Sequence, residues 1–336
     1  MRKIYLQMKT REEAASLWNA AFPGPGMLSA EKIPAARAAG RVLAGPAFAR
    51  ISSPPFHSAA MDGVAVRSED TFGASQARPK TLVLGEEAFY VNTGHMLPPG
   101  TDAVVMMEHI RVEENRVEFD RAAYPWQHVR KVGEDMVATQ MLFPTGHRVT
   151  PACVGALLSG GVNAVSVLER PRVLLIPTGN ELVDPEGSDT DNPPRGRVIE
   201  SNSAMLGAMV EEAGGEWVRH AIVPDDFSAI RGAVDAAVDQ GFHLVVVLAG
   251  SSAGSEDHTA NVIGDLGEVL VHGVTMMPGK PLILGRVRNV PVMGAPGYPV
   301  SALMAFEEFG VPLLFRMQGL GPPERPRISV TPTRKI

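Results

Sequence analysis

Three carboxylates stand just beyond three apolar runs in this chain. Glu181 follows 173–176 across the turn Thr178-Gly179-Asn180, Asp225 follows 218–223, and Asp257 follows 244–248. If the runs are parallel strands, all three carboxylates arrive at one edge of a sheet, where open α/β sheets bind their ligands. Carboxylates gathered there repel one another unless a proton or a hard cation lies between them, and Mg2+ is the usual bridge to phosphate. The stretch Gly250-Ser251-Ser252-Ala253-Gly254-Ser255 supplies the other half of such a site. Small residues let backbone N–H groups turn toward an anion, and a helix starting near His258 adds orphan donors and a favourable dipole. Each feature alone has a plainer reading: Asp225 and Asp257 as helix caps, the loop as a tight βα turn.

Five further stretches could join this chemistry. Pro278-Gly279 forms a tight turn that presents Lys280, a point-charge partner for phosphate. Gly297-Tyr298-Pro299 opens a helix with Ser301 in its first turn, a second anion-competent helix start. Asp62 sits in the small, mostly apolar run SAAMDGVAV (58–66). Asn92-Thr93-Gly94 and Gly133-Glu134-Asp135 place polar groups in what read first as turns.

The elements that must position these residues alternate cleanly from Arg172 onward. Strands are expected at 173–176, 218–223 and 244–248, and helices at 203–213 (capped by Ser201 or Asn202), 227–240 (capped by Asp225 or Asp226) and 258–266. A strand pair at 282–284 and 290–293 is joined through Arg288-Asn289, and a last helix runs from Pro299 to about Phe315. This is a mostly parallel sheet with helices on both faces. Upstream, helices are expected at 9–20 and 29–43, and 151–169 reads as a helix started by Pro151 and ended at Gly160-Gly161, followed by a strand. Residues 45–150, rich in Pro and Gly with short alternating runs at 81–84, 103–107 and 117–119, read as an all-β segment inserted into a helical part.

The composition bounds the rest. The chain has 336 residues, enough for two or three domains. A net charge of −6 argues against a general nucleic-acid surface. The single Cys153 excludes an internal disulfide and a cysteine metal site, and it reads as a buried small hydrophobe. The first residues lack the apolar core of a signal peptide, and no run approaches the ~20 apolar residues of a membrane span. A cytoplasmic protein is expected.

The motifs, in order, resemble one family. They are SPPFHSAAMDGVAV (53–66), NTGHMLPPGTDAVVMMEH (92–109), VRKVGEDM (129–136), RPRVLLIPTGNEL (170–182), SNSAMLGAMVEEAGG (201–215), VPDD (223–226), AGSSAGSEDHT (249–259), PGKP (278–281) and PGYPVSA (296–302). Together they resemble the molybdopterin molybdotransferases, the MoeA family that includes the gephyrin E domain. The resemblance implies a multidomain α/β protein. A MogA-like, three-layer α/β molybdopterin-binding domain would span 170–318. A β-rich domain (45–140) would be inserted in a small helical linker domain made of 1–44 and 141–169. Residues 319–336 would begin a C-terminal domain or tail, the family's small C-terminal β domain having no counterpart after about Pro322.

The activity implied is Mg2+-dependent insertion of molybdate into adenylylated molybdopterin with release of AMP. The implied assembly is an elongated homodimer in which the site lies between the sheet domain of one subunit and the β-rich part of the other. A molybdopterin adenylyltransferase and proteins of molybdoenzyme assembly are the further partners implied. By motif, Asp62 matches the catalytic aspartate, and Glu181, Asp225 and Asp257 match catalytic and metal-holding carboxylates. Thr93, Gly94, Asp135, Thr178, Gly179, Asn180, Asn202, Gly250, Ser251, Ser252, Gly254, Ser255, Pro278, Gly279, Lys280, Gly297, Tyr298 and Ser301 match the substrate cleft. Three positions depart from the pattern: Ala249 stands where the family has glycine, Met277 where it commonly has lysine, and Tyr298 where it has asparagine. Two other readings remain at this point: a non-catalytic molybdopterin or molybdate carrier, sensor or scaffold, and a nucleotidyltransferase of the adenylylating type.

Overall fold

The structure is a computed structural model that describes residues 8–186, 193–249 and 258–322. The chain divides into two compact units, one of residues 1–31 and 168–336, the other of residues 32–167. The division falls inside the 1–44 segment: the chain up to Glu31 groups with the parallel sheet, and Lys32 onward with the β-rich unit.

The chain opens with α1 (Arg11–Ala21). Thr10 Oγ1 accepts from Glu13 N–H at 3.1 Å and Glu13 Oε2 accepts from Thr10 N–H at 2.8 Å, a capping box that satisfies two orphan donors. The expected helix at 29–43 is absent. That stretch is β1 (Ala30–Pro34) followed by one 3-10 turn at Ala35–Arg37. Pro34 holds Ile33 extended, and Gly40, at φ +81°, ends any continuation.

The β-rich unit follows with β2 (Ala47–Phe48), β3 (Ser58–Ala59), β4 (Gly63–Val66), the one-turn α2 (Ser68–Thr71), β5 (Lys80–Val83) and β6 (Ala88–Val91). It continues with β7 (Ala103–Met106), β8 (Ile110–Glu113), β9 (Arg116–Phe119), β10 (Val129–Arg130) and β11 (Met141–Phe143). The antiparallel sheets β6-β4-β7 and β5-β9-β8 share one core through Val64, Val66, Leu82, Val105, Val117 and Phe119. β3 pairs with β10, and β2 with β11. The chain returns through α3 (Pro151–Ser159), with Thr150 as cap and Pro151 in its first turn, and β12 (Ala164–Leu168). Cys153 is buried, with its Sγ 3.2 Å from His147 Nε2.

The second unit is built on β13 (Arg172–Pro177), the short pair β14 (Leu182–Val183) and β15 (Val198–Ile199), α4 (Asn202–Glu212), β16 (Glu216–Arg219), α5 (Phe227–Asp239) and β17 (Leu244–Ala249). After these come α6 (His258–Leu266), β18 (Gly267–His272), β19 (Ile283–Val287), β20 (Val290–Pro296), α7 (Pro299–Ala305) and α8 (Val311–Met317). The six-stranded order is β16-β13-β17-β20-β19-β18. The first four strands run parallel, and β19 is antiparallel to both its neighbours. Leu244–Leu248 is buried throughout, as a central strand covered on both faces requires. One face packs on α1, α4, α7 and α8 through Trp18, Leu206, Phe306 and Leu313, and the other on α5 and α6 through Ile230, Val234 and Ile263. Trp18 Nε1–H also donates to the carbonyl of Phe309 at 3.2 Å, which ties α1 to this unit.

Three expectations are corrected here. The strand expected at 218–223 is Glu216–Arg219. It is an edge strand with Val218 exposed, and past it the chain stays on β13 through His220 N–H, which donates to Leu175 O at 2.8 Å, and through the bridge between Thr178 and Val223. The strand β18 was not anticipated. The last helix is interrupted by a π turn at Phe306–Gly310, since Pro312 has no N–H to continue the regular ladder. Among the described residues no helix is long and apolar enough to cross a membrane.

Candidate functional site

Parallel pairing decides where the sheet unit can act. The segments that follow β13, β17 and β20 leave the same edge, and Val223 is drawn to it because Gly179 N–H donates to the Val223 carbonyl at 3.2 Å. Thr178 is buried, its Oγ1 donating to Leu248 O at 3.1 Å. Glu181 and Asp225 each lie two residues beyond this Gly179–Val223 contact, so the chain carries both residues to the same edge. The Glu181 carboxylate folds back on Gly179: a Cβ there would sit 2.8 Å from both of its oxygens, and the backbone φ of +148° suits glycine. Arg197 donates to the carbonyl of Asn180 and holds the same turn. The cap of α5 is Asp226, which accepts from Ala229 N–H at 2.9 Å, leaving Asp225 exposed and free of that duty.

Gly250, Ser251, Ser252, Gly254, Ser255 and Asp257 lie outside the described residues, as does the side chain of Ala249. Among the described residues no group of three His, Cys, Asp or Glu side chains is arranged around a metal position.

Two more segments reach the same edge. Asn202 Nδ2 donates to the carbonyl of Gly297 at 2.8 Å, clamping the start of α4 to the turn after β20. Neither Ser201 nor Asn202 caps α4 by side chain. That role falls to Glu200, which the sequence reading passed over: its Oε1 accepts from Ser203 N–H at 2.9 Å and its Oε2 from Arg219 at 3.1 Å. Tyr298 stands exposed at the start of α7, with Ser301 in its first turn. Between β18 and β19, Pro278-Gly279 turns, with Gly279 at φ +113°, and presents an exposed Lys280.

The β-rich unit carries its own group. Asp62 is exposed, and its Oδ1 accepts from the backbone N–H of Thr93 at 2.6 Å and from the Thr93 hydroxyl at 2.9 Å. Those bonds, the backbone one first, hold its carboxyl below the usual aspartate range. Gly94, at φ +84°, makes the turn that delivers Thr93, and its N–H donates to Ala59 O at 2.8 Å. Ala60 N–H donates to His128 O at 2.8 Å, and Ser58 lies opposite Arg130. Arg130 in turn pairs with Asp135 at 2.6 Å, and Asp135 N–H donates to Ser53 O at 3.0 Å. The three motifs 58–66, 92–94 and 133–135 therefore meet around the short β3–β10 ladder.

The comparisons with known proteins agree with this architecture. Residues 9–161 match the MoeA N-terminal region (domain I and II), and residues 174–316 match the probable molybdopterin binding domain. Molybdopterin molybdenumtransferase 2 of Mycobacterium tuberculosis is 36% identical over 327 residues, covering 90% of this chain and 79% of that protein. The molybdopterin molybdenumtransferase of Haemophilus influenzae is 30% identical over 328 residues, covering 93% and 78%. A crystal structure of a molybdopterin biosynthesis MoeA protein from Pyrococcus horikoshii superposes with a TM-score of 0.78 at 34% identity, over 93% of this chain and 81% of that one. A parallel α/β unit joined to this β-rich unit is thus the framework of a molybdenum cofactor biosynthesis protein. The chain belongs to the MoeA family of molybdopterin molybdenumtransferases and is a transferase.

Proposed function

We propose that this chain inserts molybdate into adenylylated molybdopterin in the cytoplasm, with Mg2+, and releases AMP. The observation that carries the reading is the pair Glu181 and Asp225, two exposed carboxylates brought to one sheet edge and engaged in no ion pair with the described residues. Their chemistry fits the metal: Mg2+ prefers hard oxygen donors and is held by one or two carboxylates plus substrate phosphate. Glu181 and Asp225, with Asp257, would hold it, and when bound it would offset phosphate charge and polarise the pyrophosphate oxygens.

The chain's own residues do the rest. Lys280 sets a positive charge against the phosphates, and the 250–255 segment adds N–H donors. Thr178, Gly179 and Asn180 shape the turn that carries Glu181. The Asn202 clamp fixes Gly297, so Tyr298 and Ser301 face the substrate from a rigid turn. Asp62, kept ionised by Thr93, accepts the proton given up by the water that attacks the pyrophosphate as AMP leaves, and Asp135 holds Arg130 opposite Ser58. A homodimer belongs to the same proposal, and light scattering on the purified chain tests it.

The reaction itself is tested by incubating the chain with adenylylated molybdopterin, molybdate and Mg2+, then following AMP and active cofactor. We expect AMP release with molybdenum insertion, and its loss in Asp257→Ala and Asp225→Ala. Normal release in Asp257→Ala would refute the assignment. Tight binding without release by the unmodified chain would make it a carrier, and formation of the adenylylated compound from ATP would make it a nucleotidyltransferase.

A further inference from the structure

Packing does not explain Trp126. Its backbone lies in the left-handed region at φ +68°, which glycine adopts freely and a bulky side chain rarely does, and His128 follows at φ +53°. The indole is 39% exposed and takes no part in the cores of the β-rich unit. The turn is nonetheless tied down. Trp126 N–H donates to Asp102 O at 2.8 Å, the Gln127 carbonyl accepts from Val104 N–H at 3.0 Å, and the His128 carbonyl accepts from Ala60, two residues before Asp62. A strained surface aromatic held beside a reactive loop points to function.

Its neighbours say which function. Lys131 Nζ lies 5.1 Å from the indole centroid. The His57 ring lies 4.8 Å from it, tilted by 50°. Val132 N–H donates to His57 Nδ1 at 3.2 Å, so the neutral imidazole carries its proton on Nε2 and offers it as a donor. Arg130 is engaged with Asp135 and Glu134, whereas Lys131 and His57 make no ion pair with the described residues. With Lys131 over part of the indole face and the His57 ring against it, the exposed remainder of the indole lies beside a cation and an N–H donor, a surface that complements a flat ring bearing phosphate.

We propose that Trp126, Lys131 and His57 form a recognition shelf for a phosphate-bearing planar heterocycle, with its ring against the indole and its phosphate against Lys131 Nζ and His57 Nε2–H. The proposal rests on the reaction assigned above, whose substrate offers two such groups: the pterin with its phosphate, and the adenine of the AMP moiety.

The test titrates the full chain with molybdopterin and, separately, with AMP by calorimetry. Trp126→Gly is the informative variant, because glycine relieves the left-handed backbone and the fold is not put at risk. We expect Trp126→Gly to keep or raise the thermal midpoint while weakening one of the two ligands about tenfold, the loss of one stacked ring. Trp126→Phe should bind that ligand nearly as the unmodified chain does, and Lys131→Met should weaken the same ligand and flatten its salt dependence. Weakening of molybdopterin places the pterin on the shelf, and weakening of AMP places the adenine there. Unchanged binding of both by Trp126→Gly overturns the shelf even if AMP release proceeds. A chain that releases no AMP, yet loses ligand binding in Trp126→Gly, keeps the shelf and refutes the reaction.

Discussion

Gly63→Ala should damage the β-rich unit more than any other single methyl group added to its strands. Gly63 opens β4, the middle strand of its sheet, opposite Val91 on one side and Met106 on the other. A Cβ there would lie 2.0 Å from the carbonyl oxygen of Val105, 2.9 Å from its carbon and 3.1 Å from the Cα of Met106. All three are backbone atoms, so no rotamer change relieves the clash, and β4 must part from β7. Overpacking that side chains can absorb costs about 1–3 kcal/mol. Opening the end of a ladder gives up one or two hydrogen bonds at about 1 kcal/mol each. The loss expected is therefore about 2–5 kcal/mol. Urea unfolding of the full chain, followed by circular dichroism, should show a lower midpoint. Gly63 also directly follows Asp62, so AMP release measured well below the unfolding midpoint should fall as the 58–66 loop shifts. A variant within about 0.5 kcal/mol of the unmodified chain, the usual spread of harmless surface changes, would refute the packing argument.

Two other substitutions test the same reasoning from opposite directions. Gly232 lies inside α5 with nothing within 4 Å of a Cβ, so Gly232→Ala should stabilise the sheet unit by about 0.5–1 kcal/mol, measured by the same unfolding assay. Thr93→Val removes the hydroxyl bond to Asp62 and keeps the backbone N–H bond, the larger of the two causes of its lowered pKa. The Asp62 pKa should therefore move part of the way back up. A lowered carboxylate pKa favours the fold above the ordinary aspartate value, and that contribution disappears as pH falls through the folded pKa. The acid limb of the AMP-release profile should accordingly shift to higher pH, with the neutral-pH rate little changed. A carboxyl NMR titration that leaves Asp62 unmoved would make the Thr93 hydroxyl a spectator.

What could be read from the sequence was the part of the structure that local chemistry determines. β17 is an unbroken aliphatic run centred on three valines, α5 carries an apolar stripe with a capping aspartate, and α3 starts on Thr150-Pro151, so each is specified by its own residues. The stretch 29–43 failed because Ala and Ile suit either state, and one proline inside it outweighed them. The strand at 216–219 failed for a related reason: an edge strand need not be apolar on both faces, and Glu216 and Arg219 concealed it. The site divides in the same way. Glu181 and Asp225 stood out because carboxylates just beyond apolar runs are conspicuous in a sequence, whereas Asp62, Thr93 and Asp135 read first as turns and were singled out by the family resemblance. Glu200 and Trp126 did not stand out, because each depends on at least one partner far along the chain. For Glu200 that partner is Arg219, and for Trp126 they are Asp102 and His57. A sequence displays the groups that react more readily than the groups that hold them. Residues that aim a reactive side chain are therefore to be sought where a buried charge reaches a distant partner, as at Glu200, 3% exposed, or a strained backbone has no local cause, as at Trp126.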